Sequence, residues 1–369
     1  MARSTFVAVL RALLAVFGAG SAVAAAPAPP VAASRTADAR TFDEIGERAL
    51  RTGSAPGFAF AVVRGGTTVY AHGFGVADMT RNEPVTPHTR FSIGSLTKQF
   101  TAAAVLRLRD AGKLRLDDPL ARYLPELPNA KTITPRMMLN QDSGLHDYPL
   151  TTEHDWPLSG AIDPRQLLAI LATDRPDFEP GTKWAYSNAN YAVLAAIVAR
   201  AGGMPYGDYL RSEIFAPLGM AASGDGFAAQ HAGIATAYNG IEKFSASART
   251  LSLDLFHGAG SAVSTVDDLS RWDVALMRGT LLSTESMRDL WTAGTLSNGS
   301  AVPYAMGFIP ATLDGHREVW HNGLTPFAGG YCYNAIFPDD DLAVIVLSNG
   351  ERFGGRPEAI VRAVFQAYF

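Results

Sequence analysis

Ser95-Leu96-Thr97-Lys98 sets a hydroxyl three residues ahead of a primary amine. Three residues along an α-helix turn through about 300° and rise about 4.5 Å, so the two side chains leave nearly the same face, one above the other. An uncharged amine there can take the serine proton and make the oxygen a nucleophile. The lysine must first lose its own proton, which burial or a neighbouring positive charge favours by penalising the ammonium. With 22 serines and 5 lysines in 369 residues, a Ser-x-x-Lys arises by chance in about one such chain in three. Its company therefore decides its meaning. Tyr186-Ser187-Asn188, approached through Phe178-Glu179-Pro180-Gly181-Thr182, adds a phenol and an amide, and His321-Asn322-Gly323 adds an imidazole, a second amide and a residue without a side chain.

These three motifs, in this order, resemble those of the penicillin-recognising serine hydrolases, in the branch that holds class C β-lactamases, D-alanyl-D-alanine carboxypeptidases and related esterases. Phe91-Ser92-Ile93-Gly94 before Ser95, Leu139-Asn140-Gln141-Asp142-Ser143-Gly144-Leu145, and Gly258-Ala259-Gly260-Ser261 running into Ser264-Thr265-Val266-Asp267-Asp268-Leu269 extend the resemblance over nearly all of the chain beyond its N-terminal segment. It implies an acyl-enzyme on Ser95, Lys98 as base, and Tyr186 as the phenol that passes the proton to the leaving group. Asn188 would donate to a substrate amide carbonyl, Gly323 would let substrate lie against a strand, and the N–H of Leu324 would be an oxyanion donor beside that of Ser95. No cofactor is implied.

One position departs from the pattern. Class C β-lactamases usually carry Lys-Thr-Gly where this chain has His321-Asn322-Gly323. A lysine there is a permanent cation for a substrate carboxylate, whereas an unshifted histidine is mostly neutral at pH 7. Asn322 replaces a hydroxyl by an amide. His321 is expected to face the substrate, and the departure tilts against efficient β-lactam hydrolysis. The order of expectation is a D-alanyl-D-alanine carboxypeptidase-like, penicillin-binding enzyme, then a small-ester hydrolase, then a class C type β-lactamase. A penicillin-binding sensor domain that acylates and stops is the alternative of another class. The substrate is a small molecule or short peptide, with peptidoglycan stem peptide and β-lactams as candidates.

Other chemistries find less support. The chain has no Gly-x-Ser-x-Gly elbow, no His-Glu-x-x-His and no Cys-x-x-Cys, so no metal site is expected. His146-Asp147 and Glu153-His154-Asp155 read as surface or pocket-rim residues, and Asp339-Asp340-Asp341 as a solvated turn. Cys332, the only cysteine, excludes an intrachain disulfide and reads as a small buried residue. A formal charge of −4 makes nucleic acid an unlikely partner.

The elements that must position these residues are also readable. Arg3, the apolar run Phe6 to Gly18 and Ala22-Val23-Ala24 form an export signal expected to end at Ala24, with Arg11 arguing against a stable membrane span. The expected location is secreted or periplasmic. Residues 25–40, rich in alanine and proline, form a flexible spacer, and 41–369 the hydrolase domain. A hairpin turns at Arg64-Gly65-Gly66. Helices are predicted over Thr97–Ala111 and Tyr191–Ala201, strands over Ala305–Ala311, Arg317–His321, Gly330–Phe337 and Leu342–Leu347, and a closing helix over Pro357–Phe369. Strands at both ends with helices between predict an α/β (α+β) fold: one antiparallel sheet from 41–94 and 255–369, flanked by helices, with a mainly helical insertion over 95–254. The resemblance implies the same β-lactamase/transpeptidase-like architecture.

Overall fold

The computed structural model describes residues 37–52, 55–148, 163–226, 233–239, 245–246, 253–324, 330–350 and 357–369. Asp38 accepts from the backbone and hydroxyl of Thr41 at 2.9 and 2.8 Å and so starts helix α1 (Ala39–Thr52). Strands β1 (Gly57–Arg64) and β2 (Thr67–Asp78) make the hairpin, with Gly65 and Gly66 at φ of 62° and 73°, a turn that matches the strand twist and admits side chains poorly. Strands β3 (Glu83–Pro84) and β4 (Phe91–Ser92) follow. The helical layer comprises α2 (Thr97–Asp110), α3 (Pro135–Asn140), α4 (Pro164–Leu171), α5 (Asn188–Gly202) and α6 (Tyr206–Leu210). Short strands β5 (Gly224–Asp225), β6 (Tyr238–Asn239), β7 (Ser245–Ala246) and β8 (Ala262–Ser264) lead to α7 (Val266–Met277) and α8 (Thr284–Leu290). The chain closes through β9 (Ile309–Leu313), β10 (His316–Leu324), β11 (Tyr331–Phe337), β12 (Leu342–Ser348) and α9 (Pro357–Tyr368). Among the described residues no helix is long and apolar enough to cross a membrane.

The main sheet is antiparallel in the order β3-β2-β1-β12-β11-β10-β9, so the first and last described strands pair at its centre, Ala61 opposite Ile345. Strand alternation divides the core. Phe58, Phe60 and Val62 of β1, with Leu342, Val344 and Val346 of β12, pack under α1 and α9. Ala59, Ala61 and Val63, with Ala343, Ile345 and Leu347, face the helical layer, where small alanines let α7 and its buried Trp272 approach. Each large side chain so buried stabilises the fold by about 1.5–3 kcal/mol. Cys332 lies in this core with no exposure, and burial pushes its thiol up to about 12.

Two boundaries differ from expectation for local reasons. The strand expected over Ala305–Ala311 begins only at Ile309, because Met306-Gly307 turn the chain sharply, with Gly307 at φ of 81°. A Cβ on Gly307 would stand 2.7 Å from the carbonyl oxygen of Lys98, so backbone meets backbone there. The Asp339-Asp340-Asp341 turn is paired rather than merely solvated: His316 and Arg317 contact Asp340 and Asp339, and Arg278 contacts Asp341.

Candidate active site

Ser95 sits on a 3-10 turn, Gly94–Leu96, between β4 and α2, and is half-buried. Thr97 holds that turn from below. Its hydroxyl donates to the carbonyl of Gly94 at 2.7 Å and accepts the N–H of Ala262 at 3.0 Å, which ties the turn to β8. Leu96 is buried, so the turn exposes its serine and hides its neighbours. Lys98, in the first turn of α2, has no exposed surface.

Lys98 Nζ lies 3.0 Å from Ser95 Oγ, 2.9 Å from Asn188 Oδ1 and 2.7 Å from the carbonyl oxygen of Ala259. The two carbonyls can only accept. A neutral amine that donates its two hydrogens to them therefore has its lone pair left for the serine hydroxyl, the orientation a base requires. Burial lowers the Lys98 ammonium to about 7, against the opposing charge of Asp147. A substantial fraction is thus unprotonated at neutral pH.

Tyr186 approaches from the other side, its hydroxyl donating to Ser95 Oγ at 2.9 Å. The segment that carries it is pinned by Gln141: the carbonyl of Gln141 takes the N–H of Ala185 at 3.0 Å, and its side-chain oxygen takes the N–H of Ser187 and the amide of Asn190 at 3.0 and 2.6 Å. Gln141 reaches both because it ends α3 in the left-handed region, at φ of 67°. Burial holds the Tyr186 phenol above its ordinary range, so it stays protonated at neutral pH and Lys98 is the group available as base. Lys98 Nζ lies 4.8 Å from the Tyr186 ring centroid, where its charge would ease formation of a phenolate.

The third motif lies on β10. His321 and Gly323 turn toward the nucleophile's turn, whereas the Asn322 amide donates to the Tyr331 hydroxyl at 3.1 Å, which in turn donates to Glu358 at 2.6 Å. A Cβ on Gly323 would stand 1.9 Å from the carbonyl oxygen of Ile93, so the glycine lets β10 touch the serine's turn. Leu324 ends the described strand, opposite Tyr331. His321, expected to face the substrate, is 1 % exposed. Its Nδ1 donates to the carbonyl of Asn322 at 2.5 Å, which leaves Nε2 to accept from the Tyr304 hydroxyl at 3.0 Å. Burial first, and then the charge of Lys98, lower the imidazole to about 3. It is a neutral group that supports the aromatic wall, with the Tyr304 and Tyr186 rings edge to face at 6.1 Å.

Ser95, Lys98, Tyr186 and Asn188 are thus brought into one hydrogen-bonded group. Two members of the surroundings were not singled out by sequence reasoning. Tyr304 has no motif around it. Asp147, read as a rim residue, accepts the backbone N–H of Asn188 at 2.8 Å; its only sequence signal is an acid directly after Ser143-Gly144-Leu145-His146. Glu153-His154-Asp155 lie outside the described residues.

Such a group can acylate: a hydroxyl, a base with a lowered pKa and a proton donor. Comparison with known proteins identifies the family. The Beta-lactamase family model matches residues 39–368. "Penicillin-binding protein 4*" of Bacillus subtilis is 29 % identical, covering 89 % of this chain and 74 % of its own. A D-aminopeptidase of Brucella canis is 30 % identical over 80 % of this chain, which spans 57 % of that enzyme's length. The crystal structure of D-amino acid amidase from Ochrobactrum anthropi SV3 complexed with L-phenylalanine amide shares the fold, with a TM-score of 0.77 and 24 % identity over 89 % of this chain and 97 % of the other. Since the family match takes in the serine turn, the tyrosine segment and β10 alike, the chain belongs to the Beta-lactamase family and is a serine hydrolase of that family.

Proposed function

We propose that the protein hydrolyses amide or ester bonds of short D-amino-acid substrates through an acyl-enzyme on Ser95, and that penicillins acylate the same oxygen. The observation that carries this is the pair of contacts at Ser95 Oγ, 3.0 Å to Lys98 Nζ and 2.9 Å to the Tyr186 hydroxyl. Lys98 takes the serine proton as Oγ bonds the carbonyl carbon, Tyr186 protonates the leaving amine or alkoxide, and the Lys98 proton restores the phenol. Water, deprotonated by the same pair, then releases the acid. The backbone N–H groups of Ser95 and Leu324 are assigned to the oxyanion. The D-aminopeptidase and D-amino acid amidase similarities support the choice of acyl donor. Exposure to a fluorescent penicillin, a D-alanyl-D-alanine peptide, a D-alanine anilide and a short-chain nitrophenyl ester, each followed by turnover and intact mass, tests it. No adduct and no hydrolysis with any of the four would refute it.

The neutral His321 favours substrates recognised without a cation at that position, and this keeps a small-ester hydrolase as second reading. The ratio of kcat/KM for a carboxylate-bearing substrate to that for a neutral ester is expected to stay flat between about pH 5.5 and 8, because no imidazolium forms in that range. A ratio that falls with rising pH, and flattens in His321→Ala, would mean that substrate draws the imidazole into a charged state and would return the carboxypeptidase reading to the front.

The protein is proposed to be exported, with residues 1–24 removed, on the strength of Arg3, the apolar run and Ala22-Val23-Ala24. N-terminal sequencing of protein recovered from envelope or medium should begin at Ala25. An intact Met1 on membrane-retained protein would point to an anchor instead.

A further inference from the structure

We infer that Asp147 is a positioning residue of the reaction: by holding Asn188 at two points it aims that amide's oxygen at Lys98 and fixes the state in which the lysine works. The inference rests on the reading of Lys98 as base.

Asp147 Oδ1 accepts the backbone N–H of Asn188 at 2.8 Å, and Oδ2 lies 3.4 Å from Asn188 Nδ2. Helix α5 begins at Asn188, and its N-cap residue Ser187 makes no side-chain cap bond. The carboxylate of a different loop therefore caps this helix, at the end where a negative charge is favoured. The second contact selects the amide's orientation. With Nδ2 turned to a carboxylate, Oδ1 is turned to Lys98 Nζ, 2.9 Å away. The opposite orientation would set an NH2 group against the lysine and a carbonyl against the carboxylate, two repulsive contacts in place of two favourable ones.

Asp147 is also a charge. Among the described residues, Lys98 is faced by Ser95, Asn188 and the rings of Tyr186 and Tyr191 at 4.8 and 5.5 Å, and it interacts electrostatically with the His321 imidazole. Both phenols and the imidazole are held neutral by burial at pH 7. Asp147 faces Asn188, Lys98, the Tyr148 phenol and His146, whose Nδ1 is 2.7 Å from Asp177. Burial raises the Asp147 carboxyl above its ordinary range, against the Asn188 contacts and Lys98, and in its ionised form it is the anion that opposes the burial of the Lys98 ammonium. Removing it leaves burial unopposed, and the lysine should give up its proton at lower pH.

The test is the pH profile of kcat/KM in Asp147→Asn, with whichever substrate turns over. The midpoint of the acid limb should move down by about half a unit to one unit, since an opposite charge acting through one intervening amide is worth less than a direct contact. The plateau kcat should fall about 10-fold, with KM changed by less than about twofold, because the reacting groups are misaligned rather than the substrate released. Asp147→Glu should bring the midpoint back toward the wild type. If Asp147→Asn does not fold, Asp147→Ser carries the same test, its hydroxyl still able to take the Asn188 N–H. A residue that only capped α5 would lower the melting temperature or the plateau and leave the midpoint in place; that result overturns the inference. A wild type without a limb between pH 6 and 8 would overturn the Lys98 assignment beneath it, and the inference with it.

Discussion

Ser95→Ala is expected to remove turnover by at least about 10⁴-fold and to abolish every covalent adduct, whether from a penicillin or from an ester. The substitution deletes one half-buried oxygen. The Leu96 and Thr97 side chains that hold the turn remain, so the melting temperature should move little. That separates the loss from unfolding. Intact mass after incubation with a fluorescent penicillin reads the adduct directly, and a mass increment retained in Ser95→Ala would place the nucleophile elsewhere.

The second large effect concerns Lys98 and Tyr186, which contact Ser95 Oγ from two sides. Lys98→Met, which fills most of the buried volume that alanine would leave empty, and Tyr186→Phe are each expected to slow acylation about 10³-fold. If the proton passes from serine to lysine to leaving group by way of the phenol, either change breaks the same path. The double variant should then be slower than the worse single variant by less than about tenfold. Single-turnover acylation rates in all four proteins check this. A double variant slowed by the full product of the two would show that the groups act independently.

The parts of this site legible in the sequence are those fixed by local geometry. A serine and lysine three residues apart on one turn must meet, and the hairpin at Gly65-Gly66 follows from turn chemistry. The parts that were not legible depend on groups far apart in sequence. Nothing near His321 says that Tyr304, 17 residues away, will occupy its Nε2, or that the ring will be sealed off from solvent. The type of residue was visible but its charge state was not, because desolvation is a property of the packed site. Asp147 was read as a rim residue for the same reason: its partner Asn188 is 41 residues on, and only the fold makes them neighbours. The turn at Met306-Gly307 was taken into a strand because its apolar residues fit one; the close approach of Lys98's carbonyl, which demands the glycine, has no signature in the 300s.

The contacts of Gly307 and Gly323 with the backbone of Lys98 and Ile93 bear on when this enzyme becomes active as it is made. Nucleophile and base are both synthesised by residue 98, yet the walls that strip water from the lysine come from residues 186–191, 259 and 304–321. Strand β10 reaches the N-terminal hairpin only by way of β11 and β12, which follow it in the chain. A chain truncated before β12 would hold the serine and lysine on the same turn, but with the amine open to water and near its ordinary pKa, hence protonated. With the lysine protonated, the serine of such a chain is expected to be unreactive. Completion of the sheet is thus expected to set the point at which the base, and with it acylation, becomes available.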